Sequence, residues 1–316
     1  MLIFFKIASE IQSGHDNRIR SIFVKFYTLY LIMRKFISSA ILFLSIINIQ
    51  AQNFRVVVFG GVSNYQGDLQ AKKYTFDQAH PAFGFGGLYE INDKLFVRAN
   101  TTFGTVSAND KYSKDINILE RNLNFTSPIT DINLGLEYDI LSLYEHSVTP
   151  YIFAGVSVFH FNPYTTDTAG KRVYLQPLGT EGEGFYQGRS KYDLTQIAIP
   201  FGGGLKFAIS DDVRLGVEVG LRKLFTDYLD DVSMTYADKS QLLANNGPEA
   251  VELAFRGDEL HKGLTYPPDG TIRGNPKSKD WYYFTMLTLS FRISGGGEKY
   301  AVQGGKAKVG CPGKVF

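Results

Sequence analysis

Arg214-Leu215-Gly216-Val217-Glu218-Val219-Gly220-Leu221-Arg222 is the stretch that decides the fold. Its odd-numbered positions are aliphatic and its even-numbered positions are Gly or charged. A strand sends successive side chains to opposite faces, so this segment has one apolar and one charged face. Similar segments recur behind a secretion signal, and no helical periodicity accompanies them to cover the apolar faces. Acyl chains around a closed barrel supply the missing apolar partner. The pattern predicts an all-β chain folded as an eight-stranded antiparallel transmembrane β-barrel of the outer-membrane kind.

Eight segments carry this reading: Phe54–Tyr65, Ala82–Ile91, Leu95–Val106, Ile129–Leu141, Pro150–Phe161, Leu194–Ile209, Val213–Phe225 and Trp281–Ile293. Each reaches the 9–11 residues, roughly, that a tilted membrane strand needs. Their connections alternate. Short ones follow the second, fourth and sixth strands: Asn92-Asp93-Lys94, a loop around Glu145-His146, and Ser210-Asp211-Asp212. Long polar ones follow the first, third, fifth and seventh, the largest running from about Thr226 to Asp280. Outer-membrane barrels have short periplasmic turns and long outer loops. An even strand count then puts both termini of this multi-pass chain in the periplasm.

The faces follow from parity. Ile132, Leu134, Leu136, Tyr138 and Ile140 face out on the fourth strand, as do Ile197, Ile199, Phe201, Leu205 and Phe207 on the sixth. On the last strand Tyr283, Thr285, Leu287, Leu289 and Phe291 face out. The first, second and fifth strands are ambiguous, because Val56-Val57-Val58 and Tyr151-Ile152-Phe153 are apolar on both faces. The inward set contains Arg98, Lys206, Arg214, Arg222 and Arg292 against Asp131, Glu137, Asp139 and Glu218. An eight-stranded lumen is just wide enough for side chains to fill, so these charges are expected to form a plug of ion pairs, not a pore lining.

Composition and ends set the remaining bounds. Met33-Arg34-Lys35, the apolar run Phe36 to Ile47 and Ala51 before the cut form a signal peptide over residues 33–51. Residues 1–32 stand upstream of that complete signal, which points to a start assigned too early; a genuine cytoplasmic extension is the alternative. The barrel is expected over residues 52–293 and a periplasmic tail over 294–316. Aromatics make up 14% of the chain, which suits two interfacial girdles, and Asp280-Trp281-Tyr282-Tyr283-Phe284 reads as part of one. A net charge of +2 argues for no nucleic-acid partner. Mean hydropathy of −0.10 argues against a helical membrane protein, and nothing implies a cofactor.

Two regions carry functional alternatives. The corner Thr226-Asp227-Tyr228-Leu229-Asp230-Asp231 leaves the seventh strand at the outer rim. It reads first as a polar corner pairing with a loop Arg or Lys. A divalent-cation site is the second reading, and a hydrolytic site with His160 as partner is the third. No HExxH, G-x-S-x-G or Walker pattern is present. The tail Ser294–Phe316 is rich in Gly and Lys and follows a barrel that is already closed, so it is expected to be flexible. Its hydrophobes Tyr300, Val302, Val309 and Val315 are candidates for docking on a partner. Cys311, the one cysteine, stands there in an oxidising compartment and takes either an intermolecular disulfide or a free thiol.

Several blocks together resemble a known family. They are Asn64 to Leu69 (NYQGDL), Arg121 to Pro128 (RNLNFTSP), Thr149-Pro150-Tyr151, Phe161-Asn162-Pro163, Pro200 to Gly204, Thr226 to Ser233 (TDYLDDVS) and Asp280-Trp281-Tyr282. This order is similar to that of the PorG-like outer-membrane barrels of the Bacteroidetes type IX secretion system, over nearly the whole mature chain. The resemblance implies a non-catalytic component of protein export and gliding motility. It further implies that the barrel anchors a periplasmic ring, made of a lipoprotein and a soluble ring subunit, to the outer membrane through the tail and Cys311. A hydrolase, or a generic OmpA-like barrel or adhesin with a rim site on the long loops, is the alternative.

Overall fold

Alternating in-and-out segments that cannot bury an edge must close on themselves, and these do. The computed structural model describes residues 53–72, 74–260 and 263–293. Its barrel strands are β1 (Phe54–Gln66), β2 (His80–Glu90), β3 (Leu95–Asn109), β4 (Asn124–Asp139), β5 (Val148–Phe161), β8 (Thr195–Ala208), β9 (Val213–Leu224) and β10 (Trp281–Arg292). Each pairs antiparallel with its neighbours, and β10 returns to β1 through Arg55↔Arg292 to Gln66↔Trp281. This is a closed eight-stranded antiparallel β-barrel. A two-stranded hairpin, β6 (Tyr164–Thr166) and β7 (Arg172–Tyr174), extends the sheet from β4 outside the barrel.

The strand ends differ from expectation chiefly at β4, which starts at Asn124 and not at Ile129. Pro128 has no N–H to give to a ladder. Its missing N–H is tolerated here, and Asn124 to Pro128 pair with Thr105 to Asn109. The β3–β4 hairpin thereby rises past the rim and turns through a short helix α1 (Ile116–Arg121), whose N-cap Asp115 accepts from Asn117 N. Two further helices, α2 (Lys239–Asn246) and α3 (Pro248–Ala254), lie in the β9–β10 connection.

Parity sorts the wall as charge and hydrophobicity dictate. The outward side chains of mid-barrel are bare: Phe83 is 63% exposed, Ile132 59%, Val156 59% and Leu287 61%. A continuous apolar belt of this size has no stable partner in water, whereas lipid satisfies it. The ambiguous strands resolve as well. Val56 and Val58 face out with Val57 inside, while Ile152 faces out between the inward Tyr151 and Phe153.

Two expectations are corrected. Tyr283 is an outward residue yet only 3% exposed, because the β1–β2 connection folds over it. Its ring stacks on Tyr74 with centroids 4.8 Å apart, and its hydroxyl donates to Thr75 O at 2.7 Å. The girdle reading of Trp281 to Phe284 also fails in part. Trp281 stays in the wall's outer face, edge-on to Phe201, but alternation turns Tyr282 and Phe284 into the interior, where both are buried.

Candidate functional site

The lumen is filled in three layers. At mid-height Arg98 holds Glu218 through both guanidinium nitrogens, at 3.0 and 3.1 Å, and Glu137 at 3.2 Å. Lys206 bonds Glu137 and, at 2.6 Å, Asp139. Arg222 Nε lies 3.4 Å from Asp131, which also accepts from the Tyr282 hydroxyl at 2.6 Å. Near the short turns, Arg292 pairs with Glu90 at 3.1 Å, and Arg55 donates to the carbonyls of Asp211 and Asp212. Arg214 lies between the rings of Phe96 and Tyr144, with no ion pair among the described residues. Inward glycines make room for this. A Cβ on Gly204 or Gly202 would stand 2.9 Å from the rings of Tyr151 or Phe153.

The third layer is apolar and was not anticipated. Phe159, Phe161, Val106, Leu224, Tyr282 and Phe284 fill the outer end of the lumen and continue into loop residues Leu229, Val232 and Leu253. The stretch Tyr151–Phe161 held the signal, with aromatics at four of its six inward positions, but its doubly apolar faces hid which set pointed in. With ion pairs below and aromatics above, the described residues fill the lumen along its height.

The long outer loops form an ordered cap on this end, and the sequence blocks meet in it. Tyr65, at the end of β1, donates to Asp230 and lies 3.1 Å from Asp280 Oδ1. NYQGDL, TDYLDDVS and DWY thus join at one hydroxyl. Gly67 allows the approach, since a Cβ there would fall 2.0 Å from both Tyr65 Oη and Asp280 Oδ1. RNLNFTSP joins too: Phe125 packs edge-on to Tyr65 at 5.0 Å, and Arg121 bonds Asp110, the carbonyl of Asp68 and that of Arg273. Asp68 in turn accepts from Asn275 N at 2.8 Å.

Beside this junction Arg273 holds Glu181 at 3.0 Å and the Asp231 carbonyl at 2.6 Å. Asp231 accepts from Thr180 and Tyr192, and Asp227 from Ser233. Burial dominates the electrostatics. It pushes Asp231 up to about 6 against the pull of Arg273. It raises Asp227 to about 6, and Glu183 to about 7 with help from Asp231 and Glu181. Asp230 and Asp280 are driven well above the ordinary carboxylate range by burial and by neighbouring acids. Proton counting agrees. A tyrosine hydroxyl has one proton to offer two carboxylates, which disfavours negative charge on both.

The rim aspartates are therefore a buried corner locked to Arg273, Tyr65, Tyr192 and Ser233. His160 faces outward from β5 and bonds Thr195 at 2.9 Å, so strand parity puts it on the opposite face from the rim carboxylates. Among the described residues no group of three or more His, Cys, Asp or Glu side chains is placed to hold a metal. The signal peptide and the tail with Tyr300, Val309 and Cys311 lie outside the described residues.

Closure, the apolar belt and the filled lumen define the fold as that of an outer-membrane β-barrel. The chain belongs to the family described as Domain of unknown function (DUF6089), whose model matches residues 34–246. Solved structures similar to it include Neisserial surface protein A, with 11% identity over 76% of this chain and 97% of that one, at a TM-score of 0.38. Ail, the attachment invasion locus protein of Yersinia pestis, gives 10%, 76%, 97% and 0.35 for the same quantities when bound to sucrose octasulfate. OprG from Pseudomonas aeruginosa gives 9%, 77%, 98% and 0.34. The architecture rests on the strand pairing, not on these distant likenesses. No curated protein matches the sequence.

Proposed function

We propose that this protein is a non-catalytic structural component of the outer membrane that anchors a periplasmic assembly. Its lumen is closed at mid-height by ion pairs and above by aromatics, and that single observation supports a role exercised through surfaces, not through transport or chemistry. The resemblance of the NYQGDL, RNLNFTSP and TDYLDDVS blocks favours the type IX secretion system as the setting. In this reading both termini are periplasmic, and the tail Ser294–Phe316 binds the ring lipoprotein and ring subunit, with Cys311 free to form the intermolecular disulfide.

The test is a chain ending at Ile293. It is expected to insert and remain heat-modifiable on gels, yet to lose ring association and export; normal export from it defeats the proposal. A nonreducing gel of membranes carries the disulfide arm: a high-mass band is expected in the wild type and absent in Cys311→Ser. A second reading, surface adhesion, draws on the bare apolar residues of the cap, Ile272 at 78% and Leu243 at 49% exposed. Replacing both with Ser would abolish cell-surface binding under that reading and leave export unchanged.

A further inference from the structure

The short-turn end of the lumen holds more positive charge than its neighbours answer. Arg55 on β1 stands directly across from Arg292 on β10, and Arg214 on β9 across from Ser290. Like charges directly opposed on one face of a sheet repel. Arg214 and Arg292 both lie over the Tyr144 ring, 5.6 and 5.4 Å from its centroid. Glu90 is engaged with Arg292, and Asp139 meets Lys206 through Oδ1 while its Oδ2 is buried without a hydrogen-bond partner. Three buried N–H groups point at no acceptor: Arg55 Nε, Arg214 Nη1 and Arg292 Nε. Arg55 and Arg214 are 0% and 4% exposed, so bulk water does not serve them.

Beside Arg214 lies a cavity of about 30 Å³, bounded also by Arg98, Lys206, Ser290 and Thr288. That is space for about two waters or one small oxyanion. Its acid, Glu218, is already held by both nitrogens of Arg98. Arg98 and Lys206 at this cavity are paired with acids, which leaves Arg214, with its unpartnered Nη1, as the cation there able to take negative charge.

We propose that the short-turn end of the lumen is an anion site that takes one carboxylate or phosphate group, centred on Arg214 and backed by Arg55 and Arg292. The inference stands apart from the secretion reading, since it needs only the barrel. The group has two sources. One is the chain itself: Glu298 follows Arg292 by six residues in the sequence and lies outside the described residues. The other is a free oxyanion from the solution on that side.

The experiment measures the unfolding temperature of the full chain in detergent, with inorganic phosphate added at matched ionic strength. A saturable rise in the wild type that vanishes in Arg214→Gln supports the site with a free oxyanion. A flat wild type, with Glu298→Gln melting lower and regaining the difference in phosphate, supports the site with the tail carboxylate. No phosphate effect in either chain beyond the salt control overturns the proposal. Should Arg214→Gln fail to fold, Ser290→Asp decides. A fixed carboxylate across from Arg214 is expected to raise the unfolding temperature without phosphate and to remove any response to it. A lower unfolding temperature in that variant overturns the proposal as well.

Discussion

Replacing Arg273 with Met tests what holds the outer cap shut. The guanidinium is shared by Glu181 at 3.0 Å and Asp231 at 3.9 Å, and it also bonds the Asp231 and Ala254 carbonyls. Glu181 and Asp231 are fully buried, so the substitution leaves two carboxylates without their cation. Breaking a buried pair from one side costs about 3–5 kcal/mol. Cap opening is then expected to rise roughly a hundred-fold to a few thousand-fold at pH 8.

The sign of the pH dependence follows from Asp231. Its carboxyl sits at about 6 in the folded cap, above the value of about 3.9 it takes in an unfolded chain. Stability from this group is therefore complete below about pH 4 and is lost as pH rises through about 6. Without Arg273 the folded value climbs further and the window moves up in pH, so acidification to pH 5 is expected to shrink the variant's deficit. Proteolysis of the outer loops reads cap opening, while heat-modifiable migration reports that the barrel survives. Equal cleavage of variant and wild type at pH 8, or a deficit identical at pH 5 and pH 8, refutes the reasoning.

Other expectations follow from single contacts. Leu134→Arg puts a charge on the bare outer face of β4 and is expected to cost about 2–4 kcal/mol, seen as poor folding into liposomes where Leu134→Phe folds normally. Gly67→Ala forces a Cβ between Tyr65 and Asp280, whose ends are held by hydrogen bonds, and is expected to cost about 1–3 kcal/mol. Loop proteolysis should rise in it while the barrel stays heat-modifiable. Wild-type protein in planar bilayers is expected to show no large steady conductance; steady channels would contradict a filled lumen.

The sequence carried the wall almost complete. Arg214–Arg222 reads as a two-faced strand because a two-residue period needs only local geometry, and its partner strands share the pattern. The same logic ran out where both faces are apolar. On β5 only closure of the barrel told Phe159 and Phe161 from Val156 and Val158, since lumen and lipid both accept hydrocarbon. Arg55 escaped notice for the same reason, standing beside the run Val56-Val57-Val58. At Tyr283 the parity was right and the environment was not, because a loop folds over the outer wall.

What the residues decided alone is therefore periodic: eight strands, the facing of those with one apolar face, and the sorting of short turns from long loops. The cap was decided by tertiary structure. The blocks NYQGDL, TDYLDDVS and DWY were visible as words, but Tyr65 lies more than 160 positions from Asp230. No local rule links residues so far apart. Only closure of β10 onto β1 brings those chain segments to the same rim, where burial turns separate polar side chains into one proton-sharing junction.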